Sequence, residues 1–144
     1  MVVKTYRGLL KDGAQDKIPL STKDGSVGYR IVKYQIIPED PQTATQEIVV
    51  KIYNEEQSTI DGTVNFSDAS LLGVALYSQH SSSYNSFKTV IFDNSLVNRD
   101  IYVTVKDAVG AGGANYYIEL EQMKLDQTQN MSATLKAIRG SAVD

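Results

Sequence analysis

The residues that could do chemistry in this sequence begin with His80, the sole histidine of the 144-residue chain. It lies in the polar segment Gln79–Ser86, beside three serines, so a Ser-His pairing has to be considered. A catalytic triad also needs an orienting acid and an oxyanion site, and no nucleophile-elbow sequence surrounds these serines. One histidine and no cysteine argue against a zinc site as well. We therefore interpret the segment as a polar loop.

Carboxylates form two further clusters. Glu119 and Glu121 alternate along one predicted strand, which places them about 7 Å apart on one face. A glycosidase uses such a pair as acid and base, but its two carboxylates usually come from different strands in a cleft with aromatic walls. We expect both glutamates to lie in water. Asp93, Asn94 and Asp100 offer oxygen ligands for calcium, but without regular ligand spacing, so turn chemistry explains them better.

A glycine-rich loop, Val109–Asn115, could suggest phosphate binding. A P-loop requires Gly-Lys-Ser/Thr leading into a helix, and a dinucleotide-binding loop also opens a helix. Here the loop follows one predicted strand and feeds another, so we predict a hairpin loop. The residues thus predict no catalytic, metal or cofactor site, and we do not expect an enzyme.

Nine tyrosines and no tryptophan give the chain an unusual aromatic balance. Tyrosine can stack on sugars or anchor protein contacts, because its ring is apolar and its hydroxyl is polar. Most of the tyrosines fall on predicted strands, and some of these must belong to the core or its rim. They include Tyr29, Tyr34, Tyr53, Tyr102, Tyr116 and Tyr117. The residues that we select as candidates for an interaction surface are Tyr6, Tyr84, Tyr102 and Tyr117.

Size and charge limit the possible functions. A mass of 15.8 kDa suits one domain, which we take to span residues 1–144. The net charge is −3, the pI is about 5.1 and no basic block is present, which argues against nucleic-acid binding. No apolar run approaches the roughly 20 residues that span a membrane, and the first residues do not resemble a signal peptide. We expect a soluble protein made in the cytoplasm, because a chain without cysteine forms no disulfides and fits a reducing compartment.

Alternating apolar residues and turn signals predict a series of short strands. In Asn115–Leu125, the longest of them, we expect Ile118 and Leu120 to face the core. Asp61-Gly62 predicts the turn of a hairpin, and Pro19 predicts an edge position. The predicted extended segments are Val2–Leu10, Lys17–Thr22, Ser26–Ile37, Glu47–Tyr53, the hairpin Thr59–Phe66, Leu71–Tyr77, Lys88–Phe92, Arg99–Lys106 and Asn115–Leu125.

One helix is predicted at about 127–139. Asp126 and Gln129 match a capping box, and Gly140 suits the position after a helix end. Its apolar stripe consists of Met131, Leu135 and Ile138. Several strands and a single helix, without alternation of the two, predict an all-β, antiparallel and jelly-roll-like β-sandwich with one C-terminal α-helix.

The order and spacing of four segments resemble the C-terminal half of small virion structural proteins of tailed marine bacteriophages. The segments are Val90-Ile-Phe-Asp-Asn94, Asn98-Arg-Asp-Ile-Tyr-Val103, Asn115-Tyr-Tyr-Ile-Glu-Leu-Glu121 and Ala133-Thr-Leu-Lys-Ala-Ile-Arg139. The resemblance covers about residues 87–139 and implies a capsid decoration or cement protein without catalytic residues. The implied partner is the major capsid protein or another virion protein, and the implied location is the capsid surface.

An alternative function and the oligomeric state remain open at this stage. A carbohydrate-binding module or tail appendage that recognises a host-surface glycan would also use strands rich in tyrosine. A homo-oligomer is compatible with either interpretation. In both cases the function would depend on what the outer surface of the protein contacts.

Overall fold

A computed structural model of the chain describes residues 2–22, 26–80, 85–92 and 96–125, and within these ranges it contains strands and no helix. The strands are β1 (Val2–Leu10), β2 (Gln15–Ile18), β3 (Val27–Pro38), β4 (Gln46–Tyr53), β5 (Leu71–Gln79), β6 (Asn85–Ile91), β7 (Ile101–Asp107) and β8 (Ala114–Lys124). The all-β prediction is confirmed for this part of the chain. The predicted helix at 127–139, with Met131, Leu135 and Ile138, lies outside the described residues.

The strands form two antiparallel sheets. The small sheet has the order β1-β8-β3, and the large sheet has the order β2-β7-β4-β5-β6. The last strand described, β8, is therefore the centre of the small sheet, between two strands from the first third of the chain. This topology joins residues that are far apart in sequence.

The inner faces of both sheets share one hydrophobic core. Ile118 and Leu120 of β8 have no exposed surface, which confirms their prediction as core residues. The same period of two buries one side of β4 and of β7, as the alternation predicts. The residues of these two strands that are 0 % exposed are Ile48, Val50, Ile52, Ile101, Val103 and Val105.

A β-bulge explains why alternation in β3 did not predict its inner face. The register against β8 shifts between Ile31 and Lys33, so Val32 is an extra residue. Tyr29 and Ile31 precede the shift and are buried, and Tyr34 and Ile36 follow it and are also buried. The residues of β3 that face the core thus have odd numbers before the bulge and even numbers after it. A strict period of two along the whole strand therefore assigns residues of both faces to the same side.

The outer side of β4 is less exposed to solvent than its sequence predicts. The alternation of Ile48, Val50 and Ile52 predicts that Glu47, Val49, Lys51 and Tyr53 form the more solvent-exposed side, but Val49, Lys51 and Tyr53 are 3–7 % exposed. The connection between β4 and β5 covers this side, and a Cβ at Gly62 would lie 3.9 Å from Val49 Cγ2. This prediction is wrong because a loop, rather than water, covers the strand.

The same loop replaces the hairpin predicted over Thr59–Phe66, which forms no strand. Asp61 Oδ1 accepts hydrogen bonds from the amide and the hydroxyl of Thr63, at 3.1 and 2.7 Å, so the side chain closes a turn of its own. Lys51 Nζ donates to Asp61 Oδ1 at 3.2 Å and to the carbonyl oxygen of Thr63 at 2.7 Å. The hairpin prediction is wrong because the backbone groups of this segment bond to the Asp61 side chain and to the buried Lys51. They are therefore not paired with a second strand.

The glycine loop is also not a hairpin, because β7 and β8 belong to different sheets. The loop crosses from the large sheet to the small one. A Cβ at Gly113 would lie 2.5 Å from the carbonyl oxygen of Leu10, so a glycine is required where the loop passes β1. The Asp107 carboxylate accepts hydrogen bonds from the amides of Val109, Gly110 and Gly112.

Two strands differ most from their predicted boundaries. The segment predicted at Lys17–Thr22 is β2, which ends before Pro19 and lies at an edge of the large sheet, so the edge prediction is confirmed. The strand predicted at Lys88–Phe92 begins earlier, at Asn85, which pairs with Gln79. The polar loop predicted at Gln79–Ser86 is therefore shorter than expected.

Candidate functional site

His80 is paired with an acidic side chain. Its partner among the described residues is not a nucleophile. His80 Nε2 lies 3.0 Å from Glu47 Oε1, and both side chains are well exposed to solvent. The serines at 81–83 lie outside the described residues. A surface contact between the end of β5 and the start of β4 accounts for the position of the imidazole.

Glu119 and Glu121 face outward, as the alternation predicts, but they are half-buried rather than free in water. The Tyr117 hydroxyl donates to Glu119 Oε2 at 2.7 Å, and this hydrogen bond raises the pKa of Tyr117. Arg30 Nη2 donates to Glu121 Oε2, also at 2.7 Å. Each carboxylate thus has its own partner, and the two do not converge on a common point.

Asp100 organises the chain after β2. Its Oδ1 accepts hydrogen bonds from the amides of Leu20 and Ser21 at 2.8 and 2.9 Å, and Lys17 Nζ lies 3.3 Å from Oδ2. Burial alone would raise the pKa of Asp100, but the amides of Ser21 and Leu20 outweigh burial and hold the pKa at about 2. Asp93 and Asn94, grouped with it as a candidate calcium site, lie outside the described residues. In the described part of the chain no three His, Asp or Glu side chains are close enough to hold a metal ion.

The tyrosines selected for interaction do not lie on one surface. Tyr6 packs against the core from β1. Tyr102 is half-buried on the outer side of the large sheet, and Tyr117 is half-buried on the outer side of the small sheet. Tyr84 lies outside the described residues. Tyr29, Tyr34, Tyr53, Tyr77 and Tyr116 are buried, so most of the tyrosines serve the core.

The three phenylalanines of the chain lie near the two ends of β6. Phe87 is near the start, where its ring packs against Tyr77, and Phe92 follows the last residue and contacts Phe66. Phe87 on β6 is 57 % exposed, and Phe66 is 59 % exposed. The Phe66 ring meets the Phe92 ring edge to face at 5.0 Å, and Val90 of β6 is 39 % exposed. We call Phe66, Phe87, Val90 and Phe92 the phenylalanine edge.

β6 also presents one side of its backbone at the edge of the large sheet. It is the last strand of the large sheet in the described part of the chain, with β5 on one side. Residues 87–90 are all exposed, and an apolar edge strand with free N–H and C=O groups can pair with another chain. Edge strands usually carry protecting charges, but Lys88 is the only charged residue of β6.

A second open surface is a groove of about 510 Å³ on the outer face of the small sheet. Leu9 and Ile37 are 45 % and 61 % exposed there. Asn115 Nδ2 donates to the carbonyl oxygen of Ile37 at 3.3 Å. The other side chains that line the groove on its outer face include Arg7, Gln35 and Tyr117. The groove therefore combines apolar surface, one aromatic ring and planar polar groups.

Sequence reasoning identified Tyr117 but missed the phenylalanine edge. Phe66 and Phe92 are 26 positions apart, and the segment around Phe66 was predicted to be a hairpin. The available signal was the composition of β6, where Phe87 and Ile91 lie on one side and Val90 on the other. Apolar residues on both sides of a strand also indicate a buried strand, so the sequence alone favoured the opposite conclusion.

The fold and these surfaces define an all-β protein of two antiparallel sheets with an apolar strand edge. No protein-family model matches the sequence, and no curated protein sequence matches it significantly. Among the described residues, no helix is long and apolar enough to cross a membrane.

Proposed function

We propose that this chain is a non-enzymatic phage virion structural protein, a capsid decoration or cement protein that binds the major capsid protein. The observation that carries the proposal is the phenylalanine edge, where apolar rings border an edge strand. Such a surface suits a protein partner, because aromatic anchors provide much of the binding energy in protein interfaces. The resemblance over residues 87–139 suggests which partner that is.

The same proposal includes the finer features of the fold. We propose a jelly-roll-like β-sandwich in one domain, 1–144, with a C-terminal α-helix at 127–139 whose apolar stripe of Met131, Leu135 and Ile138 contributes to the core. A decoration protein is present in many copies on the capsid surface. Repetition converts weak individual contacts into durable attachment, so a homo-oligomer would strengthen binding further.

The contacts of the residues that were candidates for catalysis or metal binding support a binding role. His80, Glu119, Glu121 and Asp100 each form a hydrogen bond with another group of the protein. None of these contacts leaves a reactive atom directed into the 510 Å³ groove. A role in which surface contacts supply the function accounts for all four.

Co-sedimentation with capsid shells that lack this protein tests the proposal. Replacing Phe66 and Phe87 by serine should weaken binding at least tenfold, because a loss of about 1.4 kcal/mol corresponds to a factor of ten. Val109→Ser is the matched control, since Val109 is 51 % exposed but lies in the glycine loop. Equal binding of both variants, or no binding of the unmodified chain, would contradict the proposal.

The groove of the small sheet favours a second candidate function, recognition of a host-surface glycan by a tail appendage or carbohydrate-binding module. A tyrosine ring beside Arg7, Gln35 and Asn115 suits a sugar, which presents one apolar face and a rim of hydroxyls. A glycan array should then give a ligand whose affinity falls about tenfold in Tyr117→Ala and is unchanged in Tyr102→Ala. An array without any ligand would exclude this function.

A further inference from the structure

The backbone groups of β6 point alternately toward β5 and away from it. The amide of Phe92 donates to the carbonyl oxygen of Leu72 at 3.1 Å, so the even-numbered residues point their N–H and C=O groups toward β5. The Val90 carbonyl oxygen agrees with this, since a Cβ added at Gly73 of β5 would lie 3.3 Å from it. The register between the two strands continues without a bulge. The residues whose backbone groups point away from β5 are therefore Phe87, Thr89 and Ile91.

These outward groups have no backbone partner in the described part of the chain. β6 is the last strand in the order of the large sheet, and no described strand pairs with its other side. Residues 87–90 are exposed. An unpaired edge of this kind can bind an extended segment of another chain through main-chain hydrogen bonds.

The side chains of the same three residues lie on the core side of the large sheet. Phe87 pairs with Tyr77, which is 2 % exposed, and their ring centroids are 4.5 Å apart. Paired residues of neighbouring strands point to the same face, so Phe87, Thr89 and Ile91 share the side of Tyr77. Ile91 packs against the core, whereas Phe87 is mostly exposed. A strand added beside β6 would therefore also cover an apolar ring.

The sequence of β6 is complementary to a second copy of itself. If the twofold axis lies between the two copies of Thr89, Phe87 of each copy pairs with Ile91 of the other. All three outward residues then take part in hydrogen-bonded pairs, with about six hydrogen bonds in total. Lys88, the only charged residue of β6, lies opposite Val90, so no like charges meet.

The neighbouring registers are less favourable. An axis at Lys88 would place the two lysines directly opposite each other, which is destabilising. An axis at Val90 would move Phe87 past Ile91, the last residue of the strand. The charge of the strand and its length therefore both favour the register centred on Thr89.

We propose that two copies of this chain associate by antiparallel pairing of β6 with β6, with the twofold axis at Thr89. The two large sheets then form one continuous sheet. A twofold interface uses the same surface on both copies, and such dimers are the commonest soluble oligomers. The pairing needs only the isolated chain, so its test is independent of the capsid contact.

A charge exchange at Thr89 tests the proposal by analytical ultracentrifugation of the full chain. The unmodified chain should dimerise reversibly as its concentration rises. Thr89→Asp and Thr89→Lys should each weaken dimerisation at least about tenfold, because like charges then meet at the axis. An equimolar mixture of the two variants should dimerise again, since opposite charges meet there. A chain that stays monomeric, or a mixture no more dimeric than its components, would overturn the proposal.

Thr5→Lys is the matched control. Thr5 is also an exposed threonine on an edge strand, β1 of the small sheet. This variant should dimerise like the unmodified chain, and circular dichroism should show the same strand content in all variants. Equal weakening by Thr5→Lys and Thr89→Lys would overturn the proposal.

Amide hydrogen exchange followed by NMR provides a second test without any substitution. The amides of Phe87, Thr89 and Ile91 should be protected only at concentrations at which the chain is dimeric. The amides of Lys88 and Val90, which point toward β5, should be protected at all concentrations. Odd-numbered amides that exchange equally fast at low and high concentration would overturn the proposal.

A strand of the capsid protein is the other possible occupant of this edge. In that case the isolated chain would be monomeric, and Thr89→Asp and Thr89→Lys would both lose binding to capsid shells. This result would overturn the pairing of two copies and leave the capsid contact in place.

Discussion

At the scale of single residues, Asp107 is the side chain on which the connection between the sheets depends most. It is 3 % exposed, and its carboxylate accepts hydrogen bonds from four backbone amides. Three come from the glycine loop and one, at 3.1 Å, from Glu47 of β4. Burial alone would raise the pKa of Asp107, but the amides of Glu47 and the loop lower it below its ordinary value.

Asp107→Asn should therefore destabilise the protein by about 2–4 kcal/mol. An amide offers one acceptor oxygen instead of two, and its NH₂ group would face backbone donors. Urea unfolding followed by circular dichroism measures the change. Asp40→Asn, at an exposed aspartate, is the control and should cost less than about 1 kcal/mol. Equal costs would show that the loop does not depend on this carboxylate.

Stability should fall in acid because Asp100 and Asp107 have lowered pKa values. The pKa of Asp100 is about 2 in the folded protein and 3.8 in its ordinary state. A carboxyl group with a lowered folded pKa contributes stability above its unfolded pKa and loses it as the pH falls through the folded pKa. Urea midpoints should therefore decrease between about pH 4 and pH 2, and less steeply in Asp100→Asn. A midpoint that rises over this range would contradict the assignment.

At the scale of elements, the bulge in β3 makes a prediction about deletions. Val32 is the extra residue, so its removal leaves Ile31 and Tyr34 on the inner face and restores regular alternation. We expect a folded variant that loses no more than about 2 kcal/mol, since bulges mainly alter local twist.

Deletion of Tyr102 from β7, which pairs with β2 and β4 without a bulge, is the control. It turns either Ile101 or Val103 and Val105 to the wrong face, so we expect it to abolish cooperative unfolding. If both deletions unfold the protein, the bulge is required for the fold.

The strands themselves could be predicted from sequence wherever one side contacts the core and the other contacts solvent. In β8 the alternation identified Ile118 and Leu120 correctly, and the same alternation buries Ile101 and Val103 of β7, because burial by the opposite sheet is the dominant force. Sequence failed where a second contact intervened. The loop over Val49 and the bulge at Val32 depend on pairings that are remote in sequence.

The candidate surfaces were less predictable than the strands. Tyr117 was found because it lies on a regular strand. The phenylalanine edge depends on a contact between Phe66, in the connection between β4 and β5, and Phe92, which follows β6. No local pattern encodes a contact between segments so far apart in sequence. The glycine loop shows the same limit, since a strand-loop-strand sequence fits a hairpin and a crossing between sheets equally well.

At the scale of the whole molecule, the shared core should make the two sheets unfold together. Leu120 of the small sheet and Ile52 of the large sheet both have no exposed surface. Replacing either by alanine should cost about 2–5 kcal/mol. Hydrogen exchange should show the loss of protection in both sheets for each variant, because they share a core. Loss confined to the mutated sheet would indicate two independent units.

The central position of β8 has a consequence for synthesis on the ribosome. β1 and β3 are made early, yet neither pairs with the other, and both bond to a strand that begins at Ala114. Until that strand leaves the exit tunnel, the nascent chain carries two strands whose partner does not yet exist. Exposed edges of this kind promote aggregation. Chains that terminate before residue 114 should therefore be captured by chaperones or degraded, and the last strand controls when the small sheet can form.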